Sequence, residues 1–228
     1  MERVVWIPFP PPYSQEFMER TNTWVKERPE KNFRIIVYNP QRIALGAGLN
    51  PLLFNLINGS QIYLRGHGLS GDPHVTTNYD GRSLKLPITD SIDRLVAMGL
   101  QPNFRGTIKF YSCFSALKGK PQYIDGGQMI FDKDDPTNIL KIKLKGGNFG
   151  PTGSPLAKVG ANYFRQLGFQ HCKYLGYKGP LSGAYVDSDH SPDGRTHKYC
   201  EEVTYDAFGA AHFAPNKDRL ASDARKSF

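Results

Sequence analysis

Cysteine is scarce in this chain of 228 residues, which has three, at Cys113, Cys172 and Cys200. An odd and sparse set argues against a framework of disulfide bonds and is typical of a reducing compartment. Long apolar runs are also missing: the best stretch, from Pro51 to Ile57, is far shorter than the roughly 20 residues of a membrane-spanning helix. The first residues lack the apolar run of a signal peptide. We therefore expect a cytoplasmic protein, or one delivered into a target cell without a cleavable signal.

Acidic residues are fewer than basic ones, 21 against 29, which gives a formal net charge of +8. The basic residues are dispersed along the chain, and the densest stretch, Lys141 to Lys145, alternates like the solvated face of a strand. A charge of this kind does not predict a nucleic-acid partner. It is compatible with acidic peptide substrates or with a bound anion.

Internal repeats, low-complexity tracts and an obvious interdomain linker are absent, so residues 1–228 are predicted to form a single domain. Short apolar runs alternate with helical patterns, which favours an α/β fold with a mostly parallel sheet between helices, a three-layer αβα sandwich. The predicted strands are Arg3–Phe9, Phe33–Tyr38, Gln61–Arg65, Thr107–Ser112, Asn138–Lys145 and Cys172–Tyr177.

The predicted helices each begin at a capping residue or a proline. One covers Gln15–Glu27 after Ser14, a second runs from a cap at Thr89, Asp90 or Ser91 to Gly99, and a third runs from Ser154-Pro155 to Gly168, with a short helix around Leu49–Ile57. Leu69–Pro87 is predicted to be a loop or a small hairpin turning at Asp80-Gly81. The tail, residues 180–228, is predicted to be irregular.

Two of the predicted strands end at a side chain with reactive potential. Gln61–Arg65 is followed by His67 and Gly68, and Thr107–Ser112 is followed by Cys113. A single helix is predicted between these strands, and such a right-handed crossover places consecutive parallel strands side by side. Reactive groups of parallel sheets gather beyond the carboxyl ends of the strands. The sequence therefore predicts that the imidazole and the thiol meet at one edge of the sheet.

A thiol beside an imidazole can cleave peptide bonds. A cysteine with a pKa of about 8.5 is only about 3% thiolate at neutral pH, and an imidazolium partner raises that fraction. The same histidine can then protonate the departing amine. Gly68 leaves its backbone N–H unobstructed, and together with the N–H of Cys113 it could form an oxyanion hole, in which each donor is worth about 10²–10³ in rate.

The stretches Arg65-Gly-His67-Gly68 and Tyr111-Ser-Cys113-Phe-Ser115 resemble the catalytic motifs of caspase-like cysteine peptidases. In that family a His-Gly pair follows one strand, and the cysteine follows the next, about 50 residues later. The resemblance covers residues 33–116 and implies a caspase-haemoglobinase-like fold, His67 and Cys113 as the catalytic dyad, and Gly68 as an oxyanion contributor. The Gln-Ala-Cys-X-Gly signature of true caspases is absent, so the likeness is to bacterial toxin, effector or self-processing members.

The family resemblance also implies a substrate cleft formed by loops around the dyad. Asp72 and His74, which follow His67, together with Ser112, Asp125 and Asn148, are candidates for that cleft. Carboxylates in the later loops would select a basic residue before the cut and lysines an acidic one, while a small apolar residue is equally compatible. The cluster Asp187–His197 fits no zinc or calcium spacing, so no metal site is predicted.

Three functions stay open at this point. The first is a cysteine endopeptidase acting on a host or self polypeptide, which needs no cofactor, although an allosteric ion or anion is compatible with it; some toxin relatives respond to inositol phosphates. The second is a metal-assisted hydrolase or nuclease that uses His67, His74 and the acidic loops. The third is a catalytically inactive module that keeps the fold and binds a partner protein.

Overall fold

A computed structural model describes the side chains of residues 1–46, 48–68, 71–116, 154–179, 181 and 220–228, and otherwise only the backbone of five strands. The strands are β1 (Arg3–Ile7), β2 (Phe33–Val37), β3 (Gln61–Arg65), β4 (His74–Tyr79), β5 (Arg82–Pro87), β6 (Thr107–Tyr111), β7 (Gln128–Phe131), β8 (Ile139–Leu144), β9 (Gly147–Phe149), β10 (Lys173–Tyr177), β11 (Tyr199–Tyr205), β12 (Ala211–Leu220) and β13 (Arg225–Ser227). The helices are α1 (Gln15–Glu27), α2 (Pro40–Ala44), α3 (Pro51–Phe54), α4 (Ile88–Ala97) and α5 (Leu156–Gln166).

A six-stranded sheet in the order β13-β10-β6-β3-β1-β2 organises the fold. Five of these strands run parallel, and β13 joins the edge antiparallel to β10. The central strands are short apolar runs, as expected when both faces of a sheet are covered. The prediction of an α/β fold with a mostly parallel sheet is therefore confirmed.

Helices flank both faces of this sheet. On one face, α4 and α5 pack against each other and against the sheet, where Phe164 contacts Phe110 and the indole N–H of Trp6 donates to the carbonyl of Ser91. On the other face, Trp24 of α1 lies against Tyr111. This arrangement is compatible with a three-layer sandwich.

Helix α1 has the predicted bounds, but the predicted starts of α4 and α5 are wrong in detail. Ser14 precedes α1, yet its side chain makes no capping hydrogen bond and is buried. Helix α4 begins at Ile88, so Thr89, Asp90 and Ser91 lie inside it. Pro155 directly precedes α5 and is not its first residue. In α4, Ile88 is buried, so the apolar face extends beyond the predicted cap and tertiary packing outweighs the local signal.

The segment between β3 and α4 is a hairpin of β4 and β5, as predicted. Its turn residues, Asp80 and Gly81, have φ angles of 49° and 69°, the conformation of a two-residue turn that favours Asp-Gly. The tail is more regular than predicted. It contains an antiparallel pair, β11 and β12, and the edge strand β13.

Lys109 is a buried cation at the centre of β6. Its ammonium donates to the side-chain oxygen of Gln61 and to the hydroxyl of Tyr63, both at 2.8 Å. Burial, and then the positive charges of Arg225 and Arg3, lower the pKa of Lys109 from 10.5 to about 7. The folded chain thus holds this amine largely neutral just above neutral pH.

This depressed pKa predicts a pH-dependent stability. Between about pH 7 and 10, an unfolded lysine keeps its proton while folded Lys109 does not, so the unfolded state binds more protons and stability rises with pH. We expect the free energy of unfolding in urea to rise by about 1 kcal/mol per pH unit between pH 7.5 and 9.5. Lys109→Met should remove most of this rise. The matched change Lys85→Met, at an exposed lysine, should leave this rise unchanged. Equal slopes in all three proteins would contradict the lowered pKa of Lys109.

Candidate active site

A small cleft opens at the carboxyl ends of β3 and β6, and both His67 and Cys113 line it. The two strands are hydrogen-bonded neighbours in parallel register, with Arg65 opposite Tyr111. The predicted adjacency of the two strand ends is therefore confirmed. The other lining residues are Phe17, Arg20, Arg65, Gly66, Tyr111, Ser112 and Leu181.

Gly68 brings the backbone after β3 into close contact with the backbone after β6. A Cβ atom at position 68 would lie 2.7 Å from the carbonyl oxygen of Cys113 and 2.9 Å from the Cβ of Ser112. These separations are shorter than van der Waals contacts, so a larger residue would push the two segments apart. The glycine of the His-Gly pair is thus required for the approach of the two segments.

A tight turn after β6 presents Cys113. Ser115, fully buried, fixes the turn: its hydroxyl donates to the carbonyl of Phe110 and accepts from the backbone N–H of Tyr177. Phe114 has a φ of 54°, a conformation rare in residues other than glycine and costly unless the surroundings enforce it. Its N–H donates to the carbonyl of Gly179 at 3.1 Å. The backbone around the thiol is therefore held by β10 and the segment after it.

His67 is held by both its backbone and its ring. Its N–H and carbonyl pair with the carbonyl and N–H of Thr76 at 2.8 and 3.0 Å. Its Nε2 lies 2.9 and 3.0 Å from the two carboxylate oxygens of Glu16, in the first turn of α1. The ring of Phe17 lies 5.0 Å from the imidazole between ring centres. The imidazole, about a third exposed, thus faces solvent from a fixed position.

The thiol of Cys113 accepts a hydrogen bond from the backbone N–H of Leu181, with 3.3 Å between nitrogen and sulfur. Behind the cleft, the guanidinium of Arg65 is buried between aromatic rings and lies 4.1 Å from the ring centre of Trp24 and 5.5 Å from that of Tyr111. A hydrogen-bond donor favours the charged form of a thiol.

Ser112 also lines the cleft, as the sequence predicts for a cleft residue. Its side chain is 2% exposed, and its hydroxyl has no hydrogen-bond partner among the described residues. A buried hydroxyl in this state costs about 1–3 kcal/mol. The hydroxyl lies 3.1 Å from where a Cβ of residue 68 would be, so it packs directly beneath Gly68.

Two other predicted cleft residues lie elsewhere. Asp72 and His74 bond to each other on the hairpin, and Asp72 also accepts from Lys85 at 2.8 Å. Burial raises the pKa of Asp72, but the hydrogen bonds from Lys85 and His74 outweigh it and hold that pKa below its ordinary value. Neither side chain lines the cleft. The hairpin turns them towards its own Lys85 instead of towards His67.

The remaining candidates fall outside the described side chains. These are Asp125, Asn148, the Asp187–His197 cluster and Cys200. Among the side chains that the structure describes, no group of three His, Cys, Asp or Glu residues is placed to hold a metal ion. In the same part of the chain, no helix has the length and apolarity to cross a membrane.

The sequence analysis missed three cleft residues, Phe17, Arg20 and Leu181, and it also missed Glu16, which contacts His67. Glu16 lies 51 positions before His67, and Leu181 lies 68 positions after Cys113. No local pattern links positions so far apart. The sequence shows that Glu16 lies in the first turn of a helix, but it does not show that His67 is its partner.

The second described cysteine is in a different setting. Cys172 is partly buried, and its thiol donates to the carbonyl of Phe104. Burial raises the pKa of Cys172. Neither Cys113 nor Cys172 forms a disulfide. Cys172 is therefore suited as an internal reference for the reactivity of Cys113.

Comparisons with protein-family models, curated proteins and solved structures find no match to this chain.

The close contact at Gly68 generates a prediction. Gly68→Ala should separate the two segments, because its Cβ would clash with backbone and Cβ atoms, and overpacking of this kind costs about 1–3 kcal/mol. We expect alkylation of Cys113 by iodoacetamide to slow at least tenfold, because the segments that carry His67 and Cys113 move apart. Gly59→Ala is the control: Gly59 has a φ of 83° and open space around it, so the variant should lose stability but not alter the alkylation rate. Equal effects of the two variants on alkylation would contradict the contact.

Proposed function

We propose that this protein is a cysteine endopeptidase of the caspase-like type, with Cys113 as nucleophile and His67 as its acid–base partner. The observation that carries the proposal is that an imidazole and a thiol line one cleft at the ends of two adjacent parallel strands. Ligand and catalytic groups of open parallel sheets gather at this edge. The motifs around the two residues, Arg65-Gly-His67-Gly68 and Tyr111-Ser-Cys113, support the caspase-like type.

In the proposed reaction, the sulfur of Cys113 attacks the carbonyl carbon of the scissile peptide bond. The imidazolium of His67 gives its proton to the departing nitrogen, so the C–N bond breaks, an amine leaves and a thioester remains on the sulfur. Water then attacks the thioester while His67 takes up the water's proton. The carboxylic acid product leaves, and the thiolate and imidazolium return.

The surroundings of the sulfur support this role. The N–H of Leu181 donates to it, and the buried guanidinium of Arg65 adds a positive charge behind the cleft. Both favour a thiolate, which is the attacking form. The oxyanion would be held by backbone N–H groups next to the sulfur, for which we propose those of Cys113 and Gly68.

The proposed partner is an extended protein or peptide, from a host or from the chain itself, because the cleft is open to solvent and lies between two strand ends. The chemistry needs no metal or organic cofactor. A reducing compartment would keep the thiol active. Nucleic acid is not part of the proposal.

Selective thiol labelling tests the dyad. In a Cys172→Ala, Cys200→Ala background, Cys113 is the single cysteine, since the chain has three. We expect iodoacetamide to modify it at pH 6.5 at least tenfold faster than a peptide thiol, because an ion pair with His67 keeps the sulfur ionised below its ordinary pKa. His67→Ala should remove this advantage, as followed by intact-mass spectrometry.

Two controls make the labelling specific. His74→Ala removes a histidine that does not line the cleft, and it should leave the rate unchanged. A background in which Cys172 is the single cysteine should react slowly, since burial raises its pKa. Slow labelling of Cys113 that does not respond to His67→Ala would reject the dyad and favour a binding module. Peptide-bond cleavage that chelators abolish and iodoacetamide does not would favour a metal-assisted hydrolase.

A further inference from the structure

The residue that fixes the imidazole comes from outside both dyad motifs. Glu16 is the second residue of α1, and both of its carboxylate oxygens lie within 3.0 Å of Nε2 of His67. Arg20, one turn along the same helix, bonds the carboxylate at 3.2 Å. The helix N-terminus carries partial positive charge, which favours a carboxylate at this position. The Glu16 carboxylate is thus held in place by its own helix.

This contact determines which ring nitrogen of His67 carries hydrogen. An ionised carboxylate can only accept a hydrogen bond, so Nε2 must be the donor. In the neutral imidazole, Nδ1 is then the acceptor and is the nitrogen that can take a proton from a thiol. When the ring becomes an imidazolium, the same carboxylate pairs with its charge. Each of these effects serves an acid–base histidine.

We propose that Glu16 is a positioning residue for His67 and that it completes a Cys113–His67–Glu16 arrangement at the cleft. This inference rests on the proposed peptidase function. Glu16 acts through the imidazole: it selects the tautomer with hydrogen on Nε2, fixes the ring plane and stabilises the imidazolium that pairs with the thiolate.

A carboxylate could also serve only to attach α1 to the sheet. The geometry distinguishes this from positioning, because α1 is already attached by buried aromatic side chains, Phe17 and Trp24, which contact the β3–β6 face. Glu16→Gln leaves these aromatic contacts unchanged. Its effect should therefore fall on the protonation of the ring and not on the fold.

The two arginines that line the cleft with this imidazole are in contact with other residues. Arg20 of α1 is bound to Glu16 itself, and Arg65 of β3 lies beneath the rings of Phe17 and Trp24. Cys113 lies across the cleft, and Thr76 of β4 adds only backbone hydrogen bonds. Among the described residues, Glu16 is the carboxylate whose oxygens bond to the ring.

The test uses the full chain with Cys113 as its single cysteine. The rate of carbamidomethylation by iodoacetamide is measured from pH 5 to 9 for this chain with the wild-type Glu16, and for the same chain with Glu16→Gln or Glu16→Asp. In Glu16→Gln, the pH midpoint of the rate should rise by about one unit, which corresponds to about a tenfold slower reaction at pH 6. Glu16→Asp keeps the charge and should recover part of the shift. Glu19→Gln, on the exposed side of the same helix, should match wild type.

A second measurement does not depend on the thiol. Nitrogen-15 NMR of the His67 ring, with Cys113→Ala to remove the nucleophile, should show hydrogen on Nε2 in the neutral ring and a loss of this preference in Glu16→Gln. A neutral ring with hydrogen on Nδ1 would overturn the inference. The inference would also be overturned if Glu16→Gln lowered the free energy of unfolding but left the pH midpoint and the tautomer unchanged. That result would indicate a purely structural role.

The two proposals fail separately. An alkylation rate that does not respond to His67→Ala rejects the peptidase dyad, and with it the catalytic meaning of Glu16. An alkylation rate that falls in His67→Ala but keeps its pH midpoint in Glu16→Gln supports the dyad and rejects the positioning role.

Discussion

The parallel pairing of β3 with β6 is the constraint on which the cleft depends. Arg65 lies opposite Tyr111, and two residues further along each chain come His67 and Cys113. Side chains of a strand alternate between its faces, so a slip of one residue would turn one of the two partners to the opposite face of the sheet. The short approach at Gly68 fixes the same register beyond the last ladder hydrogen bond.

Helix α1 covers the face of the sheet that carries Arg65 and Tyr111, next to the cleft. Its aromatic side chains surround the buried guanidinium of Arg65, which would otherwise be a costly charge in the interior. Its first turn supplies the carboxylate that contacts His67. The packing that stabilises the sheet and the contact that orients the imidazole are therefore properties of one helix.

Strand β6 and the residues just after it provide two opposite electrostatic environments, one that favours negative charge and one that disfavours positive charge. Beyond its carboxyl end, Cys113 accepts a hydrogen bond from a backbone N–H, which favours negative charge on sulfur. At its centre, burial and then the positive charges of Arg225 and Arg3 disfavour the charged form of Lys109 and lower its pKa to about 7. Both are consistent with a strand that is deeply enclosed. An enclosed strand of this kind suits the proposed catalytic groups, since such groups must be held to within a fraction of an ångström.

Local sequence determined many of the elements, although not α2 or the strands of the tail. The bounds of β3 and α1, the turn at Asp80-Gly81 and the meeting of two strand ends follow from apolar periodicity, turn residues and crossover handedness, all of which act over a few residues or one connection. Tertiary structure alone decided the partners of these elements. It brought Glu16 to His67 and Leu181 to Cys113, kept Asp72 and His74 on their own hairpin, and buried Lys109. Contacts between residues 50 to 70 positions apart depend on how whole faces pack, and no repeating pattern in the chain encodes them.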